Sequence, residues 1–183
     1  KGYINQTYPN SKTDFTREIE EIWQEFPKPV YNFEVGQYEV LPDFDECEEY
    51  QGVTRPDNYM HIRDRAKARG LLLEWKKRVE ATGELSLLSY REEIEAVLRT
   101  EHFSGISLLG LQDFPGQGTA LVGMINAHLK PKSFDFGRPE RFHQFFSDLV
   151  PLLLLDKYTS VTGEILTAEV KIANYRKTDI HKS

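Results

Sequence analysis

Two apolar, strand-like runs separated by a long helical stretch constrain the fold of this chain more than any other feature. The first run, VYNFEVGQY, covers residues 30–38, and the second, SGISLLGLQDF, covers residues 104–114. An amphipathic helix, TDFTREIEEIWQEF, precedes the first run, and Thr13 or Asp14 is placed to cap it. Helices alternating with apolar strands predict an α/β protein with parallel strands, the second of them buried on both faces.

Further helices are predicted between the two runs and after the second. Helical patterns cover residues 44–51, 55–70, 71–83, 88–100, 119–129 and 140–150. Gly70 and Gly83 are predicted to end two of these helices, because glycine readily adopts the left-handed conformation of a helix stop. The sequence PGQG, directly after the second run, predicts a tight turn rather than a phosphate loop, because the Lys-Ser/Thr of a P-loop is missing.

The pattern changes near residue 150. Residues 152–158 and 164–174 are β-like, and the second stretch alternates in the way expected of a strand. Strands without intervening helices predict a separate all-β domain. We therefore expect one domain at 1–149 and the beginning of an all-β domain at 150–183.

Charge and composition restrict the classes of partner. The 183 residues carry a formal net charge of -6, with a pI near 5.4, which disfavours nucleic acid and anionic membrane surfaces as partners. The apolar run LVPLLLL at 149–155 is too short for a membrane span of roughly 20 residues. Cys47 is the only cysteine, so no internal disulfide can form. The chain starts at Lys1 without a signal peptide, which predicts a processed or cut N-terminus and leaves the compartment open.

Two carboxylates at the ends of the apolar runs are the main candidates for chemistry. Glu34 lies among Val30, Phe33 and Val35, and Asp113 ends the second run. A buried carboxylate is costly unless it is hydrogen-bonded or used, whereas an edge strand could simply turn it to solvent. If both are functional, two strand ends presenting carboxylates predict the mouth of a barrel.

No metal or cofactor is predicted. The acidic run DFDECEE lacks the ligand spacing and the glycine of a calcium loop, and is predicted to be the solvated start of a helix. The five histidines lack zinc-binding spacing. Cys47 lies among acids that should raise its pKa and weaken it as a nucleophile. Aromatic residues beside the candidate carboxylates would suit a sugar ring, although core packing is their commoner use.

Two long motifs carry a resemblance to a known family. NFEVGQYEVLPDFDECEEYQGVTRPDNY and SGISLLGLQDFPGQGTALVGMINAHL closely resemble the C-terminal half of the catalytic barrel of glycoside hydrolase family 2, the β-galactosidase and β-glucuronidase group, over residues 25–175. The resemblance implies that 29–38 is barrel strand seven and 105–113 is strand eight. The implied fold is a partial (β/α)8 barrel, its last two βα units, followed by the start of a β-sandwich domain.

The resemblance also implies site residues. Glu34 matches the catalytic nucleophile of a retaining mechanism, and Gln37 and Tyr38 would line the pocket beside it. Asp113, with Gln112, matches a position that contacts the terminal sugar. Related sequences commonly carry His where this chain has Phe33, and a Trp where it has LGLQDF, which leaves the sugar preference open.

The acid/base glutamate of the family comes from strand four, which the chain does not contain. We therefore expect a fragment of a larger β-glycosidase that is inactive alone, with a carbohydrate substrate and no cofactor. The partner would be the remainder of the parent chain or further copies in a homo-oligomer, and a soluble, periplasmic or secreted parent enzyme is compatible with the sequence. The alternative is a non-catalytic carbohydrate- or protein-binding module that self-associates through exposed sheet edges.

Overall fold

The structure, a computed structural model, describes residues 11–12, 14–114 and 120–180. The helices and strands of this part are, in chain order, α1 Thr16–Glu25, β1 Val30–Gly36, α2 Asp57–Ala68, α3 Trp75–Arg99, β2 Phe103–Leu109, α4 Pro139–His143, β3 Leu149–Leu154 and β4 Glu169–Asn174. Short 3-10 helices lie at Phe44–Glu49, Leu72–Glu74 and Asp135–Gly137. The chain is therefore a mixed α/β protein, which agrees with the sequence prediction at this coarse level.

The strands form two small sheets. β1 pairs with β2, and β3 pairs with β4 in an antiparallel register that sets Leu149 opposite Asn174 and Leu154 opposite Glu169. Within the described ranges each sheet has two strands and neither closes. The partial barrel and the sandwich therefore stay predictions.

The first helices agree in part with their local signals. The N-cap of α1 is Phe15, which makes no side-chain cap hydrogen bond, rather than the predicted Thr13 or Asp14. Asp14, one residue earlier, accepts a hydrogen bond at 3.1 Å from the backbone N–H of Thr16, and Thr13 lies outside the described residues. α2 ends at Ala68, and Gly70 follows with a φ of +68°. Gly70 is thus left-handed, as predicted for a glycine that follows a helix.

Gly83 does not end a helix, contrary to the sequence prediction. α3 runs unbroken through 25 residues and joins the two helices predicted at 71–83 and 88–100. A Cβ at Gly83 would lie 2.1 Å from the ring of Phe136, which is fully buried. The glycine therefore makes room for a packed aromatic ring rather than stopping the helix.

The predictions around the second run were partly wrong. β2 contains no fully buried residue, so it is not a strand buried on both faces. Residues 120–129 are not helical, because their backbone groups bond to distant segments: Ile125 donates to the carbonyl of Leu111 at 3.0 Å, and Asp113 donates to that of Ile125 at 2.9 Å. The predicted turn at 115–118 lies outside the described residues. The predicted helix at 140–150 is reduced to the five residues of α4.

The chain divides into two compact units, and the boundary between them passes through α3. The first unit contains the described parts of Lys1–Val35, Arg91–Ser107 and His143–Ser183, and the second contains those of Gly36–Tyr90 and Leu108–Phe142. In the first unit, side chains on one face of the β3–β4 sheet form a core with Leu98 of α3; they are Val150, Leu152, Leu154 and Ala173. The predicted domain boundary at 150 stays a prediction.

The helices of the described residues also bear on the membrane question. None of them combines the length and the apolar composition that a membrane crossing requires.

Candidate functional site

Glu34 lies near the carboxyl end of β1 and is exposed to solvent. Its neighbour Val35 is fully buried, so the strand end is anchored on one side while the carboxylate faces water. The φ of Glu34 is +60°, a left-handed conformation that costs a non-glycine residue roughly 1–2 kcal/mol. An exposed carboxylate on a strained, anchored strand end is accessible to a ligand.

The next residues repeat the unusual backbone. Gly36 has a φ of +110° and Gln37 a φ of +75°. A Cβ at Gly36 would lie 2.4 Å from the ring of Tyr90, whose hydroxyl is 2.9 Å from the carbonyl oxygen of Gly110. The chain therefore turns sharply where only glycine fits against a buried tyrosine. Gln37 is exposed.

Tyr38 and Gln112 make local contacts in the second unit. The half-buried ring of Tyr38 meets the ring of Tyr90 edge-on, with 5.6 Å between centroids, and its carbonyl accepts a hydrogen bond from Ser86 at 3.0 Å. Gln112 is exposed, and its amide donates to the carbonyl of Ala127 at 3.1 Å. Their roles in sugar binding stay predictions.

Asp113 is buried, with only 1% of its surface exposed. One carboxylate oxygen accepts a hydrogen bond from the backbone N–H of Gly123 at 2.8 Å, and the other forms an ion pair with the ammonium of Lys132. Burial raises the pKa of Asp113, and the Lys132 ammonium opposes that rise. Both oxygens therefore have protein partners, and a sugar contact would have to compete with them.

Glu46 completes this buried cluster. Its carboxylate lies 3.2 Å from the ammonium of Lys132, and both residues are buried, at 6% and 4% exposure. Burial raises the pKa of Glu46 to about 7, against the lowering effect of Lys132. One ammonium is thus shared by two carboxylates, and the Glu46 side chain takes up a proton near neutral pH.

Aromatic side chains lie against the same cluster. The ring of Tyr50 contacts the rings of Tyr59 and His128 edge-on, at centroid distances of 5.9 and 4.7 Å. Burial raises the pKa of both tyrosine hydroxyls, and the charges of Asp113 and Glu46 raise them further. Both hydroxyls are therefore neutral at physiological pH.

The prediction that the acidic run is a solvated helix start was wrong for Asp43 and Glu46. Asp43, Glu46 and Glu49 are spaced by three residues, and in a 3-10 helix such residues share one side. Asp43 and Glu46 are buried and Glu49 is half-buried, whereas Asp45 and Glu48 are exposed. The spacing of three residues between these acids could have revealed from the sequence that they share one side of the helix. Nothing local to Lys132 indicated that it would neutralise this face.

The five residues predicted from sequence are not all in one unit. Glu34 belongs to the first unit, and Gln37, Tyr38, Gln112 and Asp113 belong to the second. Cys47 is a free thiol whose pKa is raised, as predicted, although burial is a larger cause than the neighbouring acids. In the described part of the chain, no group of three or more His, Cys, Asp or Glu residues has a geometry suited to a metal ion.

Comparison with known proteins provides no family assignment. No family model matches the chain, and no curated protein matches it.

Proposed function

We propose that this chain is a piece of a retaining β-glycosidase and that Glu34 is its nucleophile. The observation that carries the proposal is the backbone of Glu34: an exposed carboxylate with a φ of +60° beside the fully buried Val35. Strained non-glycine residues persist only where the surrounding structure holds them, and they cluster at active sites. The resemblance of the flanking residues to glycoside hydrolase family 2 supports the same role.

The proposed reaction has two steps. A carboxylate oxygen of Glu34 attacks the anomeric carbon, the bond to the leaving oxygen breaks, and a glycosyl ester forms on the side chain. Water then attacks the same carbon, releases the sugar and regenerates the carboxylate. A second carboxyl group protonates the leaving oxygen in the first step and deprotonates the water in the second. In the resembled family this group belongs to an Asn-Glu pair, a dipeptide that these 183 residues do not contain.

Mechanism-based labelling tests the assignment of Glu34. The complete gene product that contains these residues is incubated with 2-deoxy-2-fluoro-β-glycosides of glucose, galactose and mannose, and its peptides are analysed by mass spectrometry. We expect one fluoroglycosyl group on the peptide that contains Glu34, because fluorine slows hydrolysis of the glycosyl ester.

Two variants control this experiment. Glu34→Gln should remove the label, whereas Glu39→Gln should keep it, because Glu39 is an exposed glutamate five residues further along the chain. A label on any other residue, or unchanged labelling of Glu34→Gln, would overturn the proposal.

A second candidate function, a self-associating binding module, is supported by the outer face of the β3–β4 sheet. Leu153 and Val170 are partners in the register, and both are about half exposed or more; Ile172 lies next to them on β4. These apolar side chains lie on the face of the sheet opposite the buried core, so the sheet is apolar on both sides. A contiguous apolar patch of this kind is typical of an interaction surface, here for a second copy of the chain.

Sedimentation measures this association directly. We expect the average mass of the wild-type chain in solution to rise with concentration. The mass of Val170→Lys should stay that of a monomer. Leu73→Lys is the matched control, because Leu73 is an exposed leucine in the second unit and should leave association unchanged. A wild-type chain that stays monomeric at every concentration would exclude the second candidate.

A further inference from the structure

A cavity in the first unit contains none of the residues that the sequence analysis selected. Its volume is about 340 Å3, which lies within the roughly 300–1,000 Å3 typical of small-molecule sites. The end of α3, the middle of β2, the segment before β3 and the residue after β4 form its walls. The side chains that matter for the argument are Leu98, Ile106, Phe145, Phe146, Asp148 and Tyr175.

Aromatic rings provide flat apolar walls in this cavity. Phe145 is buried at 3% exposure, whereas Phe146 and Tyr175 are 39% and 48% exposed. Large aromatic surfaces left in water inside a concave site favour a ligand that covers them. A ligand with at least one apolar face is therefore expected.

Asp148 lines the cavity, and its charge is balanced by a neighbouring cation. The carboxylate of Asp148 lies 3.2 Å from the guanidinium of Arg176, the residue that follows Tyr175. Burial raises the pKa of the Tyr175 hydroxyl, which is therefore neutral at pH 7. Ser147 donates its hydroxyl proton to the carbonyl of Leu149 at 3.0 Å, so the lone pairs of its oxygen can still accept a hydrogen bond. A paired anion and cation select neither an anionic nor a cationic ligand.

The polar side chains that line the cavity, those of Ser147, Asp148 and Tyr175, suit neutral groups that both donate and accept hydrogen bonds. Hydroxyl groups have this property, because they can donate to the Asp148 carboxylate and accept from the Tyr175 hydroxyl. We propose that the cavity is a carbohydrate subsite that binds one ring of a neutral sugar, with an apolar ring face against Phe146 and Tyr175 and a hydroxyl group donating to the Asp148 carboxylate. The choice of sugar rests in part on the proposed function, because both sites would then serve the same ligand class.

Amide NMR spectra of the 183-residue chain test the subsite. Lactose, cellobiose and methyl β-D-glucopyranoside are titrated, and cyclohexanol serves as a purely apolar probe. We expect saturable shifts of the Gly105, Ile106 and Asp148 amides with at least one sugar. Tyr175→Ala should weaken binding about tenfold through the lost ring contact, while Phe114→Ala, which removes an exposed ring in the second unit, should not.

Further variants keep the outcome interpretable. Asp148→Asn preserves the shape of the side chain and should weaken sugar binding while leaving cyclohexanol binding unchanged. Saturation by cyclohexanol without any sugar, or sugar binding that survives Tyr175→Ala and Asp148→Asn, would overturn the subsite. Glu34→Gln should leave the amide shifts intact, so a failed labelling of Glu34 and a failed subsite are separate results.

Discussion

Lys132 places its ammonium between two buried carboxylates, those of Asp113 and Glu46. With both acids ionised, the three groups carry a net charge of -1 in a buried place. Burial of the carboxylate is the largest cause that raises the pKa of Glu46 to about 7, and the charge of Asp113 adds to the rise; a proton on Glu46 removes the excess charge. At the scale of single residues, these three side chains link the stability of the second unit to pH.

Glu46→Gln should reduce the pH dependence of stability. The pKa of Glu46 is higher in the folded chain, about 7, than its ordinary value of 4.5, so this residue's contribution is full below pH 4.5 and is lost as the pH rises through 7. The loss amounts to roughly 3 kcal/mol for a shift of this size. Urea unfolding from pH 4.5 to 8 measures it, and Glu46→Gln should be more stable than wild type at pH 8. Glu48→Gln, at an exposed position, is the control. If the stability of Glu46→Gln depends on pH as steeply as that of the wild type, the prediction is contradicted.

Lys132→Met should destabilise the chain strongly. It leaves two buried carboxylates without their cation, and breaking a buried ion pair on one side costs about 3–5 kcal/mol. Lys130→Met is the matched control two residues away, because Lys130 is mostly exposed and its pair with Glu49 at 2.9 Å is worth at most about 1 kcal/mol. Urea unfolding at pH 7 compares the two free energies. If Lys132→Met and Lys130→Met lose similarly small amounts of unfolding free energy, the buried cluster contributes little to stability.

At the scale of elements, α3 shows how packing changes the meaning of a local signal. The sequence predicted a stop at Gly83 because glycine readily adopts the left-handed conformation of a helix stop. Glycine inside a helix also costs about 1 kcal/mol relative to alanine. The helix continues because Phe136 occupies the space that a side chain at this position would need. Local signals were sufficient for α1, which has an amphipathic pattern, and for α2, which is followed by the left-handed Gly70; both signals act within a few positions.

Gly83→Ala should therefore destabilise the chain although alanine favours helices. Overpacking a filled site costs typically 1–3 kcal/mol, which exceeds the helix gain of about 1 kcal/mol. Gly83→Ala should cost less stability in a Phe136→Leu background than in the wild-type chain. Thermal unfolding of the two single variants and the double variant measures this coupling. An increase in melting temperature for Gly83→Ala alone would mean that the ring does not fill this space.

At the scale of the whole molecule, the described residues provide two small sheets and two compact units. A retaining glycosidase needs two carboxyl groups about 5–5.5 Å apart, and the proposed function identifies only Glu34. The catalytic partner would therefore come from another part of the parent enzyme.

The isolated chain should not hydrolyse aryl β-glycosides. Its rate of nitrophenol release should equal that of Glu34→Gln, because the nucleophile alone cannot complete the double displacement. A continuous absorbance assay with nitrophenyl glucoside, galactoside and mannoside measures this rate. Activity that disappears in Glu34→Gln would show that a second carboxyl group within the chain acts as acid and base.

The sequence by itself determined the mixed α/β class, the first helices and the left-handed Gly70, because these depend on neighbouring residues. Only the tertiary structure decided which acids are buried and which face water. Glu46 and its partner Lys132 are 86 positions apart in sequence, so no local pattern relates their charges. The apolar run around Glu34 left open whether its carboxylate is buried or turned to solvent; the chain exposes it and buries Glu46 instead. Burial is set by contacts between distant segments, whereas helix and strand propensities act over a few residues.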